Sequence, residues 1–566
     1  MVGGENWHDI KVRESSVLSR AKGRNSAEVK KNGIFYTPAT IARRMAVECL
    51  GPYLQSSGSV DEILQIKILD PACGSGAFLI EALLLIIERL KDLKCDLLQN
   101  RRAVLQRCIF GFDTDPQGIE SCRELLVRTA TLGIPGDTFS QFELPGLAAA
   151  NSLFLDENGD TPRFTCILAN PPYGTARDGK ISDADKIRIA GLFPHQKLGK
   201  INKYMAFMLK SFELLLDNGS MSLLVPNSWL GIPDGLAVRK LLAESSALES
   251  VELYDCKLFA NLGVETVILT VRKGRIFNNV HIKRFTNSDS ATPYASSKLP
   301  YTVWRKTPAY QLRLQWDENI ERLHEQLSAK CSRLGDVSSR FLPKIALQAY
   351  ALGKGQPPQC ADTVSRHKFH ARKRSSRFHL KYLEGRDVKR YVYDWSGSYL
   401  KYGPWLAEPQ TLDRFQGKRL LLREILNHSS HPINCCFISE TALYNKSVLH
   451  ILPGAGCREE DLLALQAVFN SGLAGLLIRL FGSKSQRSLF PKLLNGDLKS
   501  FPIPISFDKS AGHLGTLAAD IMECVSSGNN HAATQKQREI DSTVYELYGL
   551  DCNAIPAQLF QLKESA

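Results

Sequence analysis

Apolar positions in the first half of the chain follow two different rhythms. Short β-branched and aliphatic runs at 66–70, 109–113, 165–169, 221–225 and 264–271 predict strands. Between them, apolar residues at helical spacing predict helices. The run 78–90 carries Glu81, Glu88 and Arg89 and is too short to span a bilayer, so it is expected to be a core-facing helix. Tyr204, Phe207, Met208, Ser211 and Leu215 share one helical face, and Asp217-Asn218-Gly219 supplies turn chemistry to end that helix. This alternation predicts an α/β domain on a mostly parallel sheet. Near 285–300 the composition turns to Ser, Thr, Asn and Pro, which predicts a linker. The expected division is a first domain over 1–285, a linker over 286–316 and a second, mixed α and β domain over 317–566.

Composition narrows the function classes. At 566 residues and 44% hydrophobic, the chain is ordinary globular material for two or three domains. A net charge of +13 favours a polyanionic partner, most simply nucleic acid. Residues 361–450 hold 16 Lys/Arg against 8 Asp/Glu, so the excess concentrates in the second half. Fourteen scattered cysteines without a CxxC pair indicate neither a disulfide framework nor a metal site. Residues 1–20 have no apolar core, so no signal peptide and no membrane association are expected.

Three motifs sit where strands should end. Asn170-Pro171-Pro172-Tyr173 follows the run 165–169; the prolines stop further pairing and fix an amide, a proline carbonyl and an aromatic ring together. Such a trio can grip a planar ring that bears an amino group, although a plain strand-to-loop turn has the same look. Asp70-Pro71-Ala72-Cys73-Gly74-Ser75-Gly76 follows the first strand, and its glycines permit close approach to a nucleotide-like cofactor. It is neither a Walker loop nor GxGxxG, so phosphates are not the natural ligand, and Asp70 suits a cationic group. Asp113 ends the second strand, where a carboxylate can accept from both ribose hydroxyls, while Asp115 before Pro116 reads as a helix cap.

Phe35-Tyr36-Thr37-Pro38, then the 70–78 loop, then Gly111-Phe112-Asp113-Thr114-Asp115-Pro116, then NPPY, in this order and at these intervals, resemble the gamma-class N6-adenine DNA methyltransferases. The resemblance implies a Rossmann-like, mostly parallel methyltransferase domain that uses S-adenosylmethionine, followed by a mixed α+β DNA-recognition domain. Thr37 and Asp70, Pro71, Ala72, Cys73, Gly74 and Gly76 would bind the cofactor's methionine part, Asp113 its ribose and Asn151 its adenine. Asn170, Pro171, Pro172 and Tyr173 would hold the target base, with Phe259 as second stacking aromatic. Further on, 382–391, Lys418-Arg419-Leu420 and 501–505 are similar to the TaqI-like target-recognition domain. Arg366, Lys368, Arg372, Lys373, Arg374, Arg386, Lys389 and Arg390 are the expected DNA contacts.

The implied reaction is methylation of the N6 amine of an adenine rotated out of double-stranded DNA, within a bacterial or archaeal cytoplasm. A monomer on DNA, a separate restriction endonuclease and no bound metal are the matching expectations. Only 34 residues precede Phe35, which leaves little room for a fused nuclease in this sequence. N4-cytosine methylation, an RNA substrate, or a bifunctional or nuclease-associated restriction-modification subunit are the alternatives.

Overall fold

The computed structural model describes residues 37–134, 142–155, 161–173, 183–193, 202–256, 258, 265–314, 318–336, 340–483 and 491–550. Two compact units divide the chain, Met1–Leu314 and Gln315–Ala566.

The first unit is built on one nine-stranded sheet. Its strands are β1 (Ile68–Asp70), β2 (Ile109–Asp113), β3 (Leu147–Ala149), β4 (Phe164–Ala169), β5 (Leu215–Pro226), β6 (Leu248–Tyr254), β7 (Thr266–Arg272), β8 (Asn279–Phe285) and β9 (Ala295–Pro300). They lie in the order 3-2-1-4-5-7-6-8-9. Strands β3, β2, β1, β4 and β5 run parallel, whereas β7 is antiparallel to both neighbours. Buried on both faces, β1 and β4 are near-continuous apolar runs, as a helix-covered parallel sheet requires. Helices α1 (Ala39–Ser56), α2 (Ala77–Asp92), α3 (Leu98–Arg107) and α4 (Pro116–Thr131) contribute Met45, Leu83, Leu105 and Leu126 to the core on this side of the chain. Helix α5 (Lys203–Leu214) buries Tyr204, Phe207, Met208 and Ser211, as its spacing predicts. It ends one residue before Leu215, which opens β5; Asp217-Asn218-Gly219 lies inside that strand, with Asn218 at φ +65°.

The stretch expected as a linker is different. Residues 286–294 form a turn, and 295–300 pair antiparallel with β8 as the edge of the sheet. Tyr301, Val303 and Trp304 then bury themselves in the first unit, whose end is Leu314 rather than residue 285. An edge strand facing solvent is polar for the same reason that a linker is.

The described residues of the second unit form three small sheets. One four-stranded sheet orders β11 (Phe341–Lys344), β18 (Val448–Pro453), β15 (Arg419–Arg423) and β16 (Cys435–Ile438); another orders β12 (His370–Ala371), β14 (Tyr399–Lys401), β13 (His379–Leu383) and β17 (Leu443–Tyr444). A two-stranded pair joins β10 (Cys331–Arg333) to β19 (Pro502–Pro504). Leu383, Leu400, Leu421 and Tyr444 meet in its core. Among the described residues no single helix is long and apolar enough to cross a membrane; a bent pair, α6 (Glu459–Phe469) and α7 (Gly472–Phe481), passes that test only jointly, and both helices are mostly buried.

The turn between β1 and α2 depends on one glycine. Gly76 has φ +89°, and a Cβ there would stand 2.5 Å from Cys122 Sγ on α4. Gly76→Ala is expected to cost roughly 2–4 kcal/mol from the left-handed backbone and the overlap together, measured by urea unfolding. Adding Cys122→Ala should recover the steric share and leave the backbone share.

Candidate functional site

Strand order reverses beside β1, because the chain runs outward through β2 and β3 on one side and through β4 and β5 on the other. In such sheets ligands bind beyond the strand carboxyl ends at that switch point. Asp70 ends β1, Asp113 ends β2 and Asn170 follows β4, so the three motifs meet at this crevice. The register pairs Leu69 with Ile167 across β1 and β4, which puts Asn170 about two residues, ~7 Å, beyond the level of Asp70.

The loop is fixed by its own backbone donors. The Ala72 N–H donates to Asp70 Oδ1 at 3.0 Å, and the Gly74 N–H donates to Asp113 Oδ2 at 2.9 Å. The Asp115 N–H donates to Asp113 Oδ1 at 2.9 Å, and Cys73 N–H to the Phe112 carbonyl at 2.9 Å. Thus Asp113 ties the two strand ends together, while a carboxylate's remaining acceptor positions suit ribose hydroxyls. Asp115 caps α4 through the Gln117 N–H, as the sequence suggests. Space for a ligand exists where it is needed: a Cβ on Gly74, φ +51°, would meet nothing within 4 Å.

Asp70 is only 1% exposed. Burial raises its carboxyl to about 8, its hydrogen bond from Ala72 opposes that rise, and the nearby Asp113 charge adds to it. A cationic ligand group would reverse the shift. The Cys73 thiol is pushed far above its ordinary value, first by its hydrogen bond with Cys122 and then by burial, so it is no thiolate nucleophile. Asn151 is exposed and caps a short 3-10 turn, Ser152–Phe154, by accepting from the Leu153 N–H at 3.2 Å. Pro71 is anchored through its carbonyl, which accepts from the Ser152 hydroxyl.

Asn170 is held at both ends of its amide. Nδ2 donates to Thr37 Oγ1 at 3.2 Å, and Oδ1 accepts from Tyr173 Oη at 2.7 Å. Thr37 therefore does not cap α1, whose N-cap is Pro38 and makes no side-chain cap. Its hydroxyl orients Asn170 instead. Tyr173 also donates toward the Leu224 carbonyl at 3.2 Å and meets the Tyr204 ring edge-on, with centroids 6.4 Å apart. Burial drives its phenol well above the ordinary range, so it stays a neutral donor. Pro171 is buried and Pro172 half-buried beside it. Phe35, Tyr36 and Phe259 lie outside the described residues.

The expected DNA-contacting cations separate into classes. Arg366 and Lys368 both bind Asp362, at 2.8 and 2.5 Å, and Arg386 binds Glu384 at 2.8 Å. Arg372, Lys373, Arg374 and Lys389 are exposed. Arg390 differs from these, since one guanidinium nitrogen turns inward to the Asn470 carbonyl and Gln537 Oε1. Among the described residues no group of three or more His, Cys, Asp or Glu side chains is placed to hold a metal ion.

Comparison with known proteins matches this geometry to two families. The N-6 DNA methylase model covers residues 23–296, and the TaqI-like C-terminal specificity domain covers 380–503. Residues 23–296 are thus similar to N-6 DNA methylases and residues 380–503 to TaqI-like specificity domains. That methylase family uses S-adenosylmethionine. The restriction enzyme and methyltransferase RM.Eco57I of Escherichia coli is 25% identical over 315 residues, 47% of this chain and 31% of that protein. Methyltransferase M.TthHB8I of Thermus thermophilus is 34% identical over 115 residues, 20% of this chain and 26% of its own. The match thus spans about a third or less of the length of these two relatives. Among solved structures, the type IIL restriction-modification enzyme MmeI in complex with DNA shares the fold at a TM-score of 0.57 and 14% identity, over 97% of this chain and 78% of its own. The DrdV–DNA complex does so at 0.56 and 11%, over 92% and 60%.

The Asp70 carboxyl gives a pH signature. Its folded value lies above the unfolded one, so its contribution is complete below pH ~4 and is lost as pH rises through about 8. Melting temperatures of Asp70→Asn should therefore gain on the parent protein between pH 4 and 8 and level off above. A constant difference across that range would remove the raised carboxyl.

Proposed function

We propose that the chain is a site-specific DNA adenine methyltransferase of a restriction-modification system, acting on the N6 amine of an adenine turned out of duplex DNA. The observation that carries this reading is the Asn170 amide, locked between Thr37 and Tyr173 beside the 70–76 loop. An exocyclic amine is a weak nucleophile because its lone pair is delocalised into the ring. Asn170 Oδ1 and the Pro171 carbonyl would each accept one amine hydrogen and favour a pyramidal nitrogen. Entry of that amine requires the Tyr173 hydroxyl to yield its place on Oδ1, freeing the ring to stack on the base. S-adenosylmethionine, when bound, supplies an electrophilic methyl group. The remaining task of the protein is alignment and electrostatics.

The residues fit that cofactor. Gly74 leaves room above the loop, Asp113 offers acceptors at a ribose-binding strand end, and Asp70 is a buried carboxyl that a cation would ionise. Pro71, Ala72, Cys73 and Gly76 give the loop its shape, and Asn151 stands beyond β3 at the adenine end. The TaqI-like unit supplies sequence selection, with Arg372, Lys373, Arg374 and Lys389 toward phosphates. Because RM.Eco57I is named a restriction enzyme as well as a methyltransferase, a nuclease-associated role is the second reading. Cutting of unmodified duplex by the chain with magnesium alone would establish it.

Asn170→Ala should keep S-adenosylmethionine affinity within about twofold and lose methyl transfer by about 10²–10³, as removal of a preorganised polar group from a reacting site does. Calorimetry for the cofactor and radiolabel transfer to duplex DNA measure the two. Normal turnover would overturn the assignment, and label appearing on cytosine would move the reading to N4. Cofactor affinity should also rise with pH toward about 8, as Asp70 ionises more readily, and Asp70→Asn should flatten that rise.

A further inference from the structure

The second unit contains a cavity of about 860 Å³ with a particular wall chemistry. It opens where β13, β15 and β17 end, at Glu384, Arg423 and Asn445. Four cations line it, Arg372, Arg386, Arg423 and Lys446, against the single acid Glu384.

Those cations are not equivalent. Arg386 is paired with Glu384, and Lys446 donates to Glu408 at 2.7 Å and to Gln348 at 2.5 Å, so their charges are answered locally. Arg372 and Arg423 make no side-chain hydrogen bond or ion pair among the described residues. Arg423 is half-buried at a strand end, with its backbone N–H donated to the Asn434 carbonyl. None of its guanidinium nitrogens is both buried and unpartnered, so the fork is open to a ligand in the cavity it lines.

One wall is aromatic and rigid. The Tyr350 ring is stacked between His367, centroids 4.9 Å apart, and Phe369, 5.4 Å apart. Its hydroxyl accepts from the Phe369 N–H and bonds His370 Nδ1 at 2.8 Å. Burial, with His367 nearby, lowers His370 to about 4, so it is a neutral partner at physiological pH. His367, at the rim, has φ +48°, a strained backbone for a residue with a Cβ. A rigid aromatic wall, two unanswered Arg forks and a nucleotide-sized volume suit a polyanion with planar bases.

We propose that this cavity is where the second unit reads duplex DNA: Arg423 lays its fork on the O6 and N7 edge of a guanine, and Arg372 holds an adjacent phosphate. The proposal rests on the reading of the chain as a DNA methyltransferase and adds the residues that choose the site. Arg423 takes the base because its half-buried position at a strand end fixes the fork's direction, which bidentate recognition needs. Arg372 takes the phosphate because it is exposed, so that nothing around it fixes a direction and it supplies charge alone.

The test uses the full chain with S-adenosylmethionine. Methylated sites are mapped on genomic DNA for the parent protein, R423A, R423K and R372A, and duplex binding is followed by anisotropy from 50 to 200 mM salt. R423A should lose about tenfold to a hundredfold of its discrimination at one guanine position, and R423K should not restore it, since lysine lacks the fork. R372A should keep the same sites, bind more weakly and show a log–log salt slope shallower by about 0.9. An unchanged site map in folded R423A, or an unchanged salt slope in R372A, overturns the proposal. If the parent protein methylates no DNA, the functional reading fails while the binding arm still decides the cavity. If R423A melts early, the salt slope of R372A on the exposed rim decides the cavity instead, and a parent protein that binds no duplex defeats both readings.

Discussion

Parallel pairing of β1 with β4 is the constraint from which the candidate site follows. These two strands carry the chain in opposite directions across the sheet, which opens a crevice beyond their carboxyl ends. Asp70 hangs from one of those ends and Asn170 from the other, with Asp113 at the end of β2 beside them. The pairing is held by side chains that reach no solvent, including Ile68, Leu69, Ile167 and Leu168. Two prolines then end β4 where the site begins, since a strand that continued would close the crevice.

Hydrogen bonds convert that crevice into a defined shape. Asp113 does so by accepting from both Gly74 and Asp115, which ties the 70–76 loop to the neighbouring strand as Asp70, accepting from Ala72, ties it to its own. Thr37 does so from far away in sequence, by accepting from Asn170 Nδ2 and holding the amide in place. Both act through one or two contacts worth about 1 kcal/mol each in net stability. Their larger effect is on geometry, because they fix where the 70–76 loop and the Asn170 amide stand.

Much of this was legible in the sequence because buried parallel strands are written in apolar runs and their ends in glycine, proline and acid. The same reasoning misread 286–316, since the edge strand β9 shows solvent on most of its positions and so has a linker's composition. The bond from Asn170 to Thr37 was hidden because local sequence records the neighbour in the chain and not the partner 133 residues away. Charge was the least legible quantity. Arg390 belongs to a basic run yet faces backbone and amide oxygens inside the second unit, whereas Arg423 hides at the end of the apolar run Leu420-Leu421-Leu422.

Strand β15 shows why composition could not settle it. Arg419 and Arg423 lie four residues apart on the same strand, so the pleat aims both at the same face. Arg419 is fully buried and donates to the Gly417, Glu440 and Ala442 carbonyls and to the Tyr444 hydroxyl. A guanidinium has five N–H donors, so those four bonds leave it little capacity for anything else. Its work is internal: it ties the turn before β15 to the segment entering β17. Arg423 is the last residue of that strand, paired with Val448 through its backbone, and its side chain has no described partner and lines a cavity. A basic residue becomes available to a nucleic acid when the fold fails to satisfy it, and net charge cannot report that failure.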